Sequence, residues 1–201
     1  MRLLLEKHLK PSKNGVYIEL GALDGIVQSN TKWLQDDYNW SGILIEPSIV
    51  KYNECNINRP KNKIFNCACV SYDYNEKTVK GDFDGSPMSS IDGKRRNSYP
   101  SVEVVCRTLQ SIIDESMYKK IDFLSLDVEG YELEVLRGID FKKQTINFVL
   151  IEVYEFDKDK IFSFMEEKGY DLIGCISNFS KETHPNWDGT HNDYLFKIKN
   201  K

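Results

Sequence analysis

The sequence predicts an α/β fold in which a mostly parallel sheet of seven strands carries helices on both faces and ends in an antiparallel hairpin. Short apolar runs rich in β-branched and aromatic residues alternate with helical stretches, which is typical of parallel sheets. The first strand, 16–20, leads into a glycine turn and then a helix, the opening of a nucleotide-binding sheet. The last two strands, 170–176 and 194–198, have no helix between them and should therefore pair antiparallel.

The composition indicates one globular domain over residues 1–201. Of the 201 residues, 40% are hydrophobic and 29% are charged, and both are ordinary globular values. The net charge of −4 gives no general attraction to nucleic acid or to anionic lipid. No apolar run approaches the roughly 20 residues that cross a bilayer, so we expect no membrane span.

The cysteines indicate the compartment. They are odd in number and contain no C-x-x-C pair: Cys55, Cys67, Cys69, Cys106 and Cys175. Free thiols in a reducing, cytoplasmic compartment are therefore expected. The three histidines do not have the spacing of zinc ligands, so we predict no zinc site.

The chain begins with a segment, 1–14, that is predicted to form a short helix. Pro11 and Gly15 end this helix, and the buried strand 16–20 follows. After the glycine turn, Ser29–Thr31 provides the cap of the next helix.

The spacing of the glycine turn distinguishes two cofactor classes. A dinucleotide site has G-x-G-x-x-G, whereas the glycines here are Gly21 and Gly25, flanked by Glu19 and Asp24. Carboxylates in this turn would repel a pyrophosphate but suit an ammonium group and ribose hydroxyls. The second strand ends in Glu46, placed to accept hydrogen bonds from an adenosine ribose. The cofactor that this describes is S-adenosylmethionine (SAM); a generic turn with a solvated Glu46 is the alternative.

A further helix and a third strand are predicted after the second strand. Ser48 caps a helix to about Asn58, and 64–70 is predicted as a third strand, apolar enough to be covered on both faces. Asn66 in that strand could contact an adenine ring, or its polar group could be satisfied by neighbouring residues.

The stretch 72–100 is polar and is predicted to be a long irregular loop, which in a compact domain is usually functional or mobile. It contains the basic cluster 94–96, interpreted as a solvated surface run or as a contact to a nucleotide-sugar phosphate. A further strand, 102–106, comes next, and Thr108 caps an amphipathic helix after it.

Two later strands end in acids. The buried strand 121–126 runs into Asp127 and Glu129, and strand 148–154 carries Glu152 near its end. Each is followed by a helix, with apolar faces at 133–136 and 161–165. Because the carboxyl ends of parallel strands share one edge of a sheet, these acids should converge.

Six segments of the chain resemble the FkbM-type methyltransferases, and together they span nearly its whole length. They are YIELGALDGIVQSNT, NWSGILIEP, VCRTL, IDFLSLDVEGYELEVLRGIDF, FVLIEVYE and HNDYLFKIK. The resemblance implies the Rossmann-like class I methyltransferase fold and SAM-dependent O-methylation, often of sugar hydroxyls in glycans, lipo-oligosaccharides or polyketides. Many relatives carry Lys where this chain has Ser125, so any neutralisation of the acids by that Lys is absent here.

Acceptor choice is expected in the segments that do not match, the variable loops 72–100 and 177–192. The expected acceptor is a sugar or glycan, free or nucleotide-linked, and the chain could belong to a larger polypeptide that contains a glycosyltransferase. The residues expected to bind SAM are Glu19, Gly21, Ala22, Asp24, Gly25, Ser29, Asn30, Glu46, Pro47, Asn66, Cys67, Ala68 and Asp127.

The candidate catalytic residues are Asp127, Glu129, Glu152 and His184, with His191 and Asp193 as further candidates. A sugar hydroxyl must lose a proton, so one acid could act as general base. Alternatively, Asp127 and Glu152 could hold Mg²⁺ or Mn²⁺, since converging carboxylates repel unless a cation or a proton intervenes. Two other functions remain open at this point: an NAD(P)-dependent oxidoreductase, and a non-catalytic SAM-fold module of a glycan-modifying enzyme.

Overall fold

The structure is a computed structural model that describes residues 1–199 apart from 92, 94, 95, 98, 100, 117, 178, 183 and 186. Its helices are α1 (Arg2–Leu9), α2 (Lys32–Tyr38), α3 (Ile49–Asn58), α4 (Leu109–Ser116), α5 (Glu132–Arg137) and α6 (Lys158–Glu167). Its strands are β1 (Val16–Leu20), β2 (Ser41–Ile45), β3 (Lys63–Phe65), β4 (Ala68–Cys69), β5 (Thr78–Gly81), β6 (Val102–Arg107), β7 (Ile121–Leu126), β8 (Ile146–Tyr154), β9 (Tyr170–Cys175) and β10 (His191–Ile198).

The main sheet has seven strands in the order β3-β2-β1-β7-β8-β10-β9. Its first five strands are parallel, and β10 pairs antiparallel with both β8 and β9. The predicted class I methyltransferase architecture is therefore confirmed. The chain leaves β1 towards β2 and returns on its other side at β7, so the carboxyl ends of β1 and β7 flank a crevice of the kind that binds ligands in open α/β sheets.

Alternating side chains of the strands form two cores, one on each face of this sheet. Ile18 and Ile43 face α4, α5 and α6, whereas Tyr17 and Leu44 face α1, α2 and α3. This alternation follows from the two-residue period of a strand. The helices therefore cover both faces, as predicted.

The prediction of a continuous third strand over 64–70 is wrong. Only Lys63–Phe65 joins the main sheet, at its edge, and none of these three residues is fully buried, so the strand is not covered on both faces. The Asn66 side chain then donates to the carbonyls of Glu46 and Pro47 at 2.9 Å, which turns the chain out of the ladder. Ala68–Cys69 pairs with β6 in a separate three-stranded sheet, β4-β6-β5.

The predicted loop 72–100 is therefore partly ordered as a strand. Thr78–Gly81 pairs antiparallel with Val102–Arg107, and Val79, Phe83 and Ile91 form a small core with Ala68. In the basic cluster 94–96, residues 94 and 95 lie outside the described residues. Arg96 binds Asp82 and Asp84 at 2.8 Å, so it holds this loop together.

The five cysteines are all free thiols, as predicted. Across the part of the chain that the structure describes, no helix has the length and apolar character needed to span a bilayer.

Candidate functional site

Two adjoining clefts open at the carboxyl ends of β1, β2 and β7. The inner cleft has a cavity volume of about 50 Å³, well below the roughly 300–1,000 Å³ of typical small-molecule sites. Its floor comes from strand ends and its roof from the 72–100 loop: Leu20, Ile45 and Cys67 below, Phe83, Pro87 and Ile91 above. The outer cleft, of about 520 Å³, is more polar and includes Asn30, Glu152 and His191. Asp127 and Glu129 border both clefts.

The glycine turn brings the ends of β1 and β7 into close contact. Gly21 has φ +73°, and a Cβ there would lie 2.1 Å from the carbonyl oxygen of Asp127. The amides of Gly21 and Ala22 donate to the Ile45 carbonyl, at 3.1 and 3.2 Å. Because these amides are used within the protein, the turn does not offer them to a pyrophosphate, which argues against a dinucleotide.

Glu46 lies at the inner cleft, where its carboxylate supports the same turn. One oxygen accepts from the amide of Leu23 at 2.9 Å, and the other accepts from the amide of Ser48 at 2.8 Å. Burial raises the pKa of Glu46 to about 7. Each carboxylate oxygen has a second lone pair, so Glu46 can still accept hydrogen bonds from a ligand in the cleft.

Behind the turn, Glu19 and Arg59 form a buried polar centre. Glu19 accepts from the Asn30 amide and the Thr31 hydroxyl at 2.6 Å, and its Oε2 lies 3.9 Å from Arg59 Nη1. The Arg59 guanidinium is fully buried and also donates to the Gly25 carbonyl at 2.8 Å. A Cβ at Gly25, where φ is +78°, would lie 2.6 Å from Arg59 Cγ. This centre fixes the segment 29–31 that borders the outer cleft.

The three predicted acids converge where the clefts meet. Asp127, Glu129 and Glu152 each place a carboxylate oxygen within 4.8 Å of the others. Burial, and then the neighbouring negative charge, raise the pKa of Asp127 and of Glu152 well above their ordinary ranges. Glu152 Oε2 is buried and accepts no hydrogen bond from any described donor. A proton shared by Asp127 and Glu152, or a cation, would relieve this repulsion.

The neighbours of the acids fix their positions. The Tyr154 hydroxyl donates to Glu129 Oε2 at 2.6 Å, and His191 Nε2 lies 3.3 Å from Glu152 Oε1. Asp193, opposite Glu152 on β10, is buried, and burial raises its pKa to about 6. The acids therefore meet on two adjacent strands with an imidazole and a phenol beside them.

Glu129 itself has a strained backbone. Its φ of +58° lies in the left-handed region, which non-glycine residues seldom adopt. The buried Glu132 accepts from the amides of Val128 and Gly130, at 3.1 and 3.0 Å, and so holds this loop in place. Strain maintained by surrounding contacts is typical of functional positions.

We expect the stability of the protein to fall as the pH rises from about 5 to about 8, because of carboxyls such as Glu132. Burial raises the pKa of Glu132 from 4.5 to about 7. In this window the unfolded chain has released the proton that the folded protein still binds, so folding loses up to about 3 kcal/mol per such group. Thermal melts of Glu132→Gln, which keeps an acceptor for both amides, should show a shallower fall. The exposed control Glu167→Gln should follow the unmodified protein, and identical slopes for all three would contradict the assignment.

The other predicted site residues divide into those that line a cleft and those that support it. The inner cleft is lined by Gly21, Glu46, Pro47, Cys67, Ala68 and Asp127, and the outer cleft by Ser29, Asn30 and Asp127. The remaining five lie behind these surfaces: Glu19, Ala22, Asp24, Gly25 and Asn66. Asp24, for example, accepts from the amides of Ile26 and Val27 at 2.9 and 2.8 Å.

The loop histidines occupy different positions. His184 is exposed and packs edge-on against Phe179, with ring centroids 4.7 Å apart, and it is not among the described residues that line either cleft. His191 lines the outer cleft, and the Trp187 indole donates to its carbonyl at 2.9 Å. The sequence analysis did not identify Arg59, Glu132 or Tyr154 as site residues, although Glu132 stands in the segment IDFLSLDVEGYELEVLRGIDF and Tyr154 ends the predicted strand 148–154.

Comparison with known proteins identifies both a family and a fold. A model described as the methyltransferase FkbM domain matches residues 19–172. The hexuronic acid methyltransferase AglP of Haloferax volcanii is 28% identical over 83 residues, which are 40% of this chain and 35% of AglP. The chain thus spans about a third of that relative.

Solved structures resemble the whole chain at low sequence identity. Precorrin-6y C5,15-methyltransferase from Geobacter metallireducens superposes with a TM-score of 0.55 at 11% identity, over 98% of this chain and 86% of that one. M. capricolum TrmK, solved with the cofactor product S-adenosyl-homocysteine, gives 0.53 at 10% identity, over 99% and 69%. At these identities the likeness shows the fold alone.

Proposed function

This chain belongs to the FkbM methyltransferase domain family, and on that premise we propose that it is a SAM-dependent methyltransferase that methylates a hydroxyl group of a sugar. The observation that carries the proposal is the convergence of Asp127, Glu129 and Glu152 between the two clefts. Methyl transfer to oxygen needs an acceptor for the hydroxyl proton, and carboxylates at this junction can supply one. Family membership also favours methyl transfer over the NAD(P)-dependent alternative.

The inner cleft suits the adenosine of SAM. Its floor and roof are apolar and would contact an adenine ring once the roof residues move outwards, because the cleft of about 50 Å³ is too small for the ring as it stands. Glu46 lies where ribose hydroxyls would donate to it. The charged end of SAM would then extend towards Asp127 and Asn30, which border the outer cleft. This arrangement directs the methyl group to the junction of the clefts, where the acids lie.

The reaction is an in-line displacement. The acceptor oxygen forms a bond to the methyl carbon as the carbon–sulfur bond breaks, which yields a methyl ether and S-adenosylhomocysteine. Holding oxygen, methyl and sulfur in line can contribute about 7–11 kcal/mol. Glu129 is our candidate for the base that accepts the hydroxyl proton, because it borders both clefts and the Tyr154 hydroxyl holds one of its oxygens.

A divalent metal also fits the acids. Asp127 and Glu152 would hold it, with Glu129 within reach, and the unpartnered buried Oε2 of Glu152 is an oxygen ligand of the type that Mg²⁺ and Mn²⁺ bind. When bound, such an ion would lower the pKa of an acceptor hydroxyl. In either case, the protein residues position the acceptor and take up its proton.

Two loops are proposed to contact the acceptor. Residues from 72–100 cover the inner cleft and extend to the outer one through Pro87 and Met88, and Phe179 and His191 belong to 177–192. The similarity to a hexuronic acid methyltransferase supports a sugar acceptor, free or nucleotide-linked. We retain the prediction of one domain, which could work within a larger glycan-modifying polypeptide.

Transfer of a radiolabelled methyl group from SAM to a panel of sugars tests this function. The panel contains hexoses, deoxyhexoses and hexuronates, free and nucleotide-linked, and we expect label on at least one of them. Inhibition by EDTA with recovery on adding Mg²⁺ or Mn²⁺ would support the metal, and full activity in EDTA would exclude a requirement for it. Tight SAM binding without transfer to any sugar would contradict the proposal and favour a non-catalytic module.

A further inference from the structure

A third depression, which we call the aromatic groove, adjoins Glu129. It has a cavity volume of about 410 Å³. Its walls are mainly aromatic and apolar, with polar groups at the rim: Ile91, Tyr131, Tyr154 and Phe156, and Glu129, Glu134, Asp157 and Thr190. The catalytic mechanism proposed above does not use this groove.

Phe156 makes the groove unusual, because 67% of this large apolar side chain is exposed. Its ring is nonetheless supported. It lies 5.5 Å from the ring of the buried Tyr154 at an angle of 34°, and its Cζ lies 3.6 Å from where a Cβ on Gly130 would be. An exposed aromatic face held by its neighbours is a preformed surface for an apolar ligand face, such as the C–H face of a sugar ring.

The groove is continuous with the proposed catalytic centre. Glu129 borders the inner cleft, the outer cleft and the groove, and it accepts the hydrogen bond of Tyr154, whose ring adjoins Phe156. A sugar whose hydroxyl reaches Glu129 would therefore have its neighbouring sugar beside the Phe156 ring.

The charges around these surfaces disfavour an anionic acceptor. The outer cleft contains four carboxyls, those of Asp127, Glu129, Glu152 and Asp193. Among the described groups that line the outer cleft and the groove, only the α-amino group of Met1, Arg2 and His191 can carry a positive charge, and His191 already lies beside Glu152. As long as no metal ion is bound to the acids, a uronate or a sugar diphosphate would be disfavoured at this surface, whereas a neutral sugar would not.

We propose that the aromatic groove binds the second sugar of an uncharged acceptor glycan, stacked on Phe156, so that an oligosaccharide is preferred over a single sugar. The inference rests on the proposed function and adds the size and charge of its acceptor. The uncharged acceptor differs from the hexuronic acid named for AglP.

Methyl-transfer kinetics with Phe156→Ala test the groove. The probes are neutral disaccharides, each paired with the methyl glycoside of the sugar that is methylated, and with its uronate counterpart. For the unmodified protein we expect the disaccharide to be preferred over both. In Phe156→Ala the KM for the disaccharide should rise about tenfold, which corresponds to the loss of one aromatic contact. The kcat and the KM for the single sugar should stay the same.

Two variants serve as controls. Phe156→Trp should retain the preference for the disaccharide, and Tyr72→Ala, which removes an aromatic side chain exposed elsewhere (53%), should leave it unchanged. Three results would overturn the proposed role of the groove while leaving sugar methylation intact. They are equal use of single sugars and disaccharides, an unaltered KM in Phe156→Ala, and a preference for uronates. Failure of every sugar to accept a methyl group would overturn the proposed function itself.

Discussion

Replacing Glu129 by glutamine is expected to lower the turnover number by roughly 10²–10⁴-fold, the usual contribution of a positioned base. Glutamine keeps the size of the side chain and an acceptor for the Tyr154 hydroxyl, but it cannot take up the hydroxyl proton. The affinity for SAM should change little, because Glu46 and the inner cleft remain. Steady-state methyl transfer and calorimetric SAM titration measure the two effects separately.

Glu129→Gly distinguishes a catalytic from a structural role. Glycine adopts a φ of +58° without the strain of about 1 kcal/mol or more that a side chain costs there. The variant also removes one of three mutually repelling carboxylates, so the melting temperature should stay the same or rise although activity is lost. A fall of many degrees would indicate that Glu129 stabilises the fold. Glu167→Gln, on an exposed helix position, is the control for charge removal and should keep full activity.

Glu46→Ala should weaken SAM binding by about 10–100-fold while reducing kcat far less. Hydrogen bonds to a charged group contribute about 1.5–3 kcal/mol, and Glu46 supports both the turn, through the Leu23 amide, and the proposed ribose site. Isothermal titration with SAM and with S-adenosylhomocysteine measures the loss. Similar losses for the two ligands are expected, because they share the ribose and differ only at the sulfur.

The matched control is Glu54→Ala, an exposed acid on α3 that pairs with Lys51 and does not line the inner cleft. Its SAM affinity should equal that of the unmodified protein. Titration with NAD should show no binding to either variant or to the unmodified protein. If Glu46→Ala bound SAM normally, or if NAD bound competitively, the position of the cofactor would have to be reassigned.

The convergence of the three acids could be predicted from the sequence. Asp127 and Glu129 follow one buried strand, and Glu152 lies near the end of the next, so a parallel sheet alone predicts that they meet. The structure brings their oxygens within 4.8 Å of one another. Short apolar runs also predicted the strands of the main sheet, apart from the third, because the inner strands are buried along most of their length.

The sequence analysis did not identify residues whose role depends on contacts with segments far away along the chain. Arg59 lies before a proline at the end of a helix, with no local sign that it would be buried against Glu19, 40 residues earlier in the chain. The division of the predicted third strand into two separate strands also depends on a contact between segments far apart in the chain. Ala68–Cys69 pairs with β6, more than 30 residues later, and that pairing competes with the main sheet.

The sequence by itself determined the class of the fold, the edge of the sheet where the cofactor should bind and the acids that gather there, because these follow from short-range periodicity and from the geometry of parallel strands. The tertiary structure alone decided which groups surround those acids. It placed His191 and not His184 in the outer cleft, Tyr154 on Glu129, and Phe156 in an exposed groove beside them. Such contacts join segments far apart in the chain, and their burial and charge arise only when the loops have packed.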